Sequence, residues 1–295
     1  MTDNTNTLAL GAAFLTVLLW AFAFPASRAV LPWFNVEQVV LFRYMVACAF
    51  YLLLFMMGKF PLPKLRDVPA LALLGFLGVA VYQLAFVYGM GRVAGGAAAM
   101  IITANPVCVA LLARIFLGEK LPVAAWIGIL VSLTGVSIIA LIRGTDGDTM
   151  GYMALLLAMF AMAFYFVFQK PFFSRYSPLA MTSWTSIAGT IPLLFFLPDT
   201  IQSIAAAPTA PILWIVAMGI LSSGIGFLLW FYALSKLRAG IVTSFLFLQP
   251  VFVTLLSWWW LGEFPENKTF IGGAVVLLGL SLIMKGQLRL SRQKE

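Results

Sequence analysis

Apolar stretches long enough to cross a bilayer follow one another along this 295-residue chain with little polar sequence between them. A helix needs about 20 predominantly apolar residues to span the hydrocarbon core. The composition agrees, with 63% of residues hydrophobic and 9% charged, where a soluble domain carries about a quarter charged residues. The chain is therefore read as an all-α integral membrane protein. Spans are expected at 8–30, 37–58, 68–90, 95–117, 122–143, 150–170, 178–197, 212–235, 239–261 and 268–287. Turn residues mark the breaks: Pro32, Pro61, Pro63, Gly95-Gly96, Pro122, Gly144 to Gly147, Pro178 and Pro208. Loops this short leave no room for a soluble domain, so 1–295 is expected to be one membrane domain.

One segment occurs twice. Asn105-Pro106-Val107-Cys108-Val109-Ala110-Leu111-Leu112, closed by Leu117-Gly118-Glu119, returns 144 positions later as Gln249-Pro250-Val251-Phe252-Val253-Thr254-Leu255-Leu256, closed by Leu261-Gly262-Glu263. Tyr88 and Tyr232, Gly128 and Gly272, Gly135 and Gly279, and Ser137 and Ser281 keep the same offset. A constant offset over such a length marks a duplicated unit. Repeat one then covers 8–143 and repeat two 150–287, five helices each. An odd number of crossings inserts the second unit upside down, and transporters of that design bind substrate between the halves.

Lysine and arginine orient the bundle. Thirteen, from Lys59 and Lys64 to Arg292 and Lys294, fall on the face shared by both termini; four fall on the other, and Arg43 lies within a span. Basic loops stay cytoplasmic, so both termini are expected there. The net charge of +8 follows from this asymmetry, and the basic residues form no continuous stripe of the kind that binds nucleic acid. Met1-Thr2-Asp3-Asn4 lacks a basic region, so no secretory signal is expected. Cys48 and Cys108 both fall inside spans, which disfavours a structural disulfide.

Histidine is absent and all ten acidic residues map to loops or helix ends. The side chains that usually relay protons or hold ions at membrane depth are missing, as are zincin-type metal ligands. No catalytic residue, metal or cofactor is expected, and the chain is read as not being an enzyme.

Pro106 and Pro250 each remove a backbone donor in mid-helix and leave the carbonyls of Ile102 and Leu246 without their usual partner. One such proline is most simply a packing kink. A symmetric pair, each preceded by an amide (Asn105, Gln249), points to a site or hinge, because irregular backbone at this depth is tolerated only inside protein or against a wet cavity. Pro25 is a third candidate kink. Gly118-Glu119 and Gly262-Glu263 read as structural: glycine suits the position after a helix end, and the glutamate can reach the start of the next helix. Gly128, Ser132, Gly135, Gly272 and Gly279 read as close-packing positions between the fifth and tenth helices.

The repeated Pro-Val-x-Val-x-Leu-Leu and Leu-Gly-Glu elements, with Trp20-Ala21-Phe22-Ala23-Phe24 and Arg43, resemble the drug/metabolite transporter superfamily. Within it the chain is similar to the EamA-type ten-helix exporters, most of all to the aromatic amino acid exporters. The resemblance implies a multi-pass protein of the bacterial inner membrane that exports amino acids (aromatic or neutral) or similar amphipathic metabolites by alternating access. Its partners would be that small-molecule substrate and the lipid bilayer; a monomer would suffice, and the oligomeric state stays open. The alternatives are an exporter of other metabolites or drugs, a proton-coupled antiporter, and a nucleotide-sugar exchanger. The last should carry several deep cations for phosphate, and only Arg43 qualifies. With no carboxylate or histidine in any span, facilitated efflux is expected over proton coupling.

The candidate substrate-binding residues are Trp20, Phe24, Arg43, Tyr82, Phe86, Asn105, Tyr165, Trp184, Ser244 and Gln249. Arg43 lies roughly 9 Å into its span, where it either reaches back to the headgroups or faces a cavity and attracts a carboxylate. The deep aromatics read as packing one by one. Tyr82 beside Gln83, and Trp184 beside Ser183 and Thr185, point to a partly polar cavity.

Overall fold

The computed structural model describes residues 2–90, 92, 101–119, 121–141, 148–261 and 267–292. The expected breaks at Gly95-Gly96 and 144–147, and the second Gly262-Glu263, lie outside the described residues, as does the side chain of Phe24. Every element among the described residues is helical. In chain order they are α1 (Thr2–Val30), α2 (Val36–Met56), α3 (Leu65–Gly89), α4 (Ile101–Leu117), α5 (Val123–Leu141), α6 (Thr149–Gln169), α7 (Pro178–Ala206), α8 (Thr209–Lys236), α9 (239–261) and α10 (Asn267–Arg292). Among the described residues six of these, α1, α2, α3, α6, α7 and α8, are long and apolar enough to cross a membrane, and the other four contain shorter apolar helices.

Local chemistry sets the ends. The Asp148 carboxylate accepts from the Gly151 amide and the Ser177 hydroxyl from the Ala180 amide, 3.2 Å away, which caps α6 and α7 at their starts. Gly58 and Gly118 follow α2 and α4 with φ of 69° and 64°, the left-handed geometry glycine adopts without strain. The seventh helix runs on past the expected end at 197: after a 3₁₀ stretch (Ile191–Phe196), a second helix, Leu197–Ala206, continues the chain.

The prolines behave differently from the expected mid-helix kinks. Pro106 stands second in a new α segment, Asn105–Leu117, after a break at Ala104, and Pro250 stands second in Gln249–Leu261, after a 3₁₀ turn over Phe245–Leu248. At that position a missing N–H leaves no bond unmade. The backbone does change at both copies, as a helix restart in place of a bent α-helix. Pro25 lies buried inside α1, which runs past it without interruption.

The small residues of α5 and α10 meet as the sequence suggests. A Cβ on Gly128 would fall 2.6 Å from the Gly279 carbonyl oxygen, one on Gly135 2.7 Å from that of Gly272, and Ser132 donates to the Val276 carbonyl at 3.3 Å. The two backbones touch because nothing stands between them. Ser137 and Ser281, 144 positions apart, each donate to the carbonyl four residues earlier at 2.9 Å. Large apolar side chains such as Ile115, Leu130 and Trp259 are exposed on the outside of the bundle, as a lipid-facing surface requires.

Two features were not visible in the sequence. α3 and α8 each contain a π-helical segment, Phe76–Val81 and Met218–Gly226, at positions related by the 144-residue offset. The packing beside them is also duplicated. Gly75 lies against the Thr185 carbonyl and the Gly189 amide of α7, and Gly219 against the Arg43 carbonyl and Val46 of α2. π segments leave carbonyls outside the usual i→i+4 ladder and often accompany functional sites.

Candidate functional site

α1, α6 and α8 meet in an aromatic cluster. The Trp20 indole packs against Trp230 (5.0 Å between centroids), Phe227 (4.9 Å) and Phe166 (6.3 Å, nearly parallel). Its Nε1 donates to the Ser222 carbonyl at 3.1 Å, and the Thr16 hydroxyl, one turn earlier, reaches the Gly226 carbonyl at 3.1 Å. Both acceptors belong to the π segment of α8. Tyr165, on α6, lies flat over Gly78 of the α3 π segment, where any Cβ would overlap its ring, and its hydroxyl pairs with the Thr185 hydroxyl at 2.9 Å. Trp230 and Ser222 are buried, yet the Trp230 Nε1 and Ser222 Oγ have no hydrogen-bond partner among the described residues.

A polar belt adjoins this cluster on the same π segment. Arg43 Nε donates to Ser223 Oγ at 2.5 Å, and the Tyr51 hydroxyl lies within bonding distance of the Ser223 (2.9 Å) and Gly224 (2.7 Å) carbonyls. Gln83 Nε2 donates to the Tyr44 hydroxyl at 3.0 Å. The π segment thus turns backbone carbonyls toward α1 and α2, and side chains from those helices occupy them. Arg43 binds across the bundle to α8 and makes no ion pair among the described residues.

The remaining candidates are spread out. Tyr82 is buried and stacks on Phe86 at 5.8 Å. Asn105, 1% exposed, donates to the Met159 carbonyl at 3.0 Å, and its Oδ1 has no partner among the described residues. Ser244 is fully buried and turned back on the Gly240 carbonyl at 2.6 Å, while Gln249 is half-buried at the start of the last α9 segment. Trp184 stands apart: it packs edge-on against Phe55 and Phe60 and donates to the Pro61 carbonyl at 3.0 Å. Its polar neighbours Ser183 and Thr185 bond back to carbonyls of their own helix, so their polarity needs no cavity. The sequence reading passed over Tyr44, Tyr51, Ser222 and Ser223, and used Gln83 only as the polar neighbour of Tyr82. The available signal was Ser222-Ser223-Gly224, flanked by Gly219 and Gly226 inside an otherwise apolar span.

One end of the bundle is tied across the two halves. Glu119, after α4, pairs with Lys170, after α6, at 2.9 Å and accepts from the Ala239 amide that opens α9 at 2.8 Å. Lys170 also donates to the Leu234 (3.1 Å) and Leu237 (2.5 Å) carbonyls where α8 ends. This corrects the reading of Leu117-Gly118-Glu119. The glutamate serves a helix start in the other half of the chain, because the ends of α4 and α9 are neighbours in space and the carboxylate follows the amide it can reach. Beside this pair, Asp67 accepts from Arg175 (2.9 Å) and from the Tyr176 hydroxyl (2.7 Å).

A bundle apolar outside, polar at its centre, with the same π segments and glycine contacts in both halves, has the construction of a secondary transporter. The chain matches the EamA-like transporter family twice, over 7–141 and again over 149–285, and it belongs to that family. It is 35% identical to the uncharacterized transporter YdfC of Bacillus subtilis over 90% of this chain and 87% of that protein. It is 34% identical to a probable terminal-alkyne amino-acid exporter of Streptantibioticus cattleyicolor over 97% of this chain and 96% of that one. A solved crystal structure at 18% identity superposes with a TM-score of 0.78 over 96% of this chain and 98% of the other, which supports the fold alone. The protein is a multi-pass membrane transporter of this family.

Proposed function

We propose that this transporter exports aromatic or other neutral amino acids, or close amphipathic relatives, across a bacterial inner membrane. The observation that carries the reading is the single π segment of α8, which meets an apolar aromatic cluster (Trp20, Phe166, Phe227, Trp230) through Ser222 and a guanidinium (Arg43) through Ser223. A flat apolar side chain suits the first and a carboxylate the second. The amino-acid exporter among the relatives supports the class of substrate. The ten helices cross as two inverted five-helix repeats, 8–143 and 150–287, that rock about this site, with Trp20, Arg43 and Tyr165 in contact with substrate and both termini in the cytoplasm.

Counterflow in proteoliposomes tests the substrate. Vesicles loaded with unlabelled phenylalanine or methionine should take up the labelled amino acid, while nucleosides and sugars stay outside; exchange of nucleosides or sugars alone would overturn the reading. Efflux is facilitated, so an imposed pH gradient should leave the final substrate level equal on both sides. Accumulation that a protonophore abolishes would assign proton coupling instead. Orientation has its own test. A cysteine at Asp146 should react with an impermeant thiol reagent from outside and one at Lys64 only after permeabilisation, and the reverse pattern would invert the topology.

A further inference from the structure

The last residue of α6 is a buried amide with both of its polar atoms unsatisfied. Gln169 is 0% exposed, and neither amide atom, Nε2 nor Oε1, makes a hydrogen bond of normal geometry among the described residues; the polar group its side chain approaches is the Tyr165 hydroxyl. The hydroxyl of Tyr165, one helical turn away, is engaged with Thr185. A buried donor or acceptor left unsatisfied carries its desolvation cost uncompensated, so an amide with neither end properly bonded weighs against the conformation that contains it.

Its position explains what relieves it. Toward the centre, Tyr165 and Phe166 lead into the aromatic cluster. Toward the end, the next residue is Lys170, which with Glu119 ties α4, α6, α8 and α9 together. Gln169 therefore lies between the closed end and the centre. One amide offers an acceptor and a donor side by side, which matches a group carrying an ammonium and a carboxylate on one carbon. The chain has no carboxylate expected within a span, so an ammonium inside is met by neutral oxygens and aromatic faces, and Gln169 Oε1 is a buried oxygen with no hydrogen-bond donor among the described residues.

We infer that Gln169 is the loading ligand of this transporter: when the Glu119–Lys170 pair parts, its amide takes the zwitterionic head of an amino acid entering from that end. This rests on the amino-acid reading above. The same stranded amide raises the free energy of the closed end when empty and so favours opening.

Gln169→Leu separates this from a merely ill-satisfied amide. In both cases removing the orphan leaves the melting temperature unchanged or raises it. A loading ligand additionally gives at least a tenfold higher half-saturating concentration for the amino acid at the Glu119 end, with less than a twofold change at the opposite end. An unchanged value at the Glu119 end overturns the inference and leaves the substrate assignment standing. If the parent protein exchanges no amino acid at all, both readings fall. Gln169→Met, of matching length and also without an amide, serves if the leucine variant does not reach the membrane, and it must show the same one-sided loss.

Discussion

Replacing Arg43 with alanine is expected to lower counterflow of a zwitterionic amino acid by about tenfold or more, the effect of losing a charge-assisted hydrogen bond of roughly 1.5–3 kcal/mol. The amide of the same amino acid, which lacks the carboxylate, should change much less. Arginine stays charged at any accessible pH and presents its donors as a rigid fork. In this structure one donor, Nε, is engaged by Ser223, and the guanidinium has no carboxylate partner among the described residues. An unpaired charge at this depth is unfavourable unless water or substrate compensates it. Arg43→Lys keeps the charge and loses the fork, so it should fall between the two. Equal counterflow of both substrates by the alanine variant and its parent would make Arg43 a packing residue that braces the π segment of α8.

Breaking the Glu119–Lys170 pair should have the largest effect on stability. Both side chains are mostly buried, 14% and 17% exposed. Removing one partner from such a pair typically costs about 3–5 kcal/mol, because the other charge is left stranded. Lys170→Met should therefore lower the melting temperature of the detergent-solubilised protein by several degrees. It also removes the donor to the Leu234 and Leu237 carbonyls. Adding Glu119→Gln should recover much of the loss, since no charge then remains uncompensated and the Ala239 amide keeps an acceptor. A cysteine at Asp67, a position tied across the halves at the same end, should react faster with thiol reagents in the Lys170→Met protein. A single variant as stable as the parent, with no recovery in the double variant, would remove the pair from the energetics of closure.

Much of the architecture was legible because it depends on properties that stay local to a segment or repeat with it. The succession of apolar stretches announces helices in lipid. The paired Asn105-Pro106 and Gln249-Pro250 announce a duplicated irregularity, though the structure makes it a helix restart and a 3₁₀ turn. The small residues of α5 and α10 announce contact, since their only evident use is to let backbones approach. The candidate site is a matter of which residues the fold brings together, and the sequence anticipated that grouping only in part. Trp20, Arg43 and Tyr165 come together around the π segments, whereas Trp184, chosen on the polarity of its neighbours, lies against Phe55 and Phe60.

By itself the sequence determined that this is a duplicated, all-helical membrane chain, which regions are apolar, and that a lone arginine sits at depth. Only the tertiary structure decided which groups meet. Trp20 reaches Ser222, Arg43 reaches Ser223, and Glu119 reaches Ala239, across 202, 180 and 120 positions. For the two contacts to α8 the reason is rotational: a π segment adds about one residue per turn and so swings the side chains and carbonyls that follow by roughly 100° around the helix axis. Hydropathy is blind to that phase, and the phase selects which carbonyl, ring and guanidinium face one another.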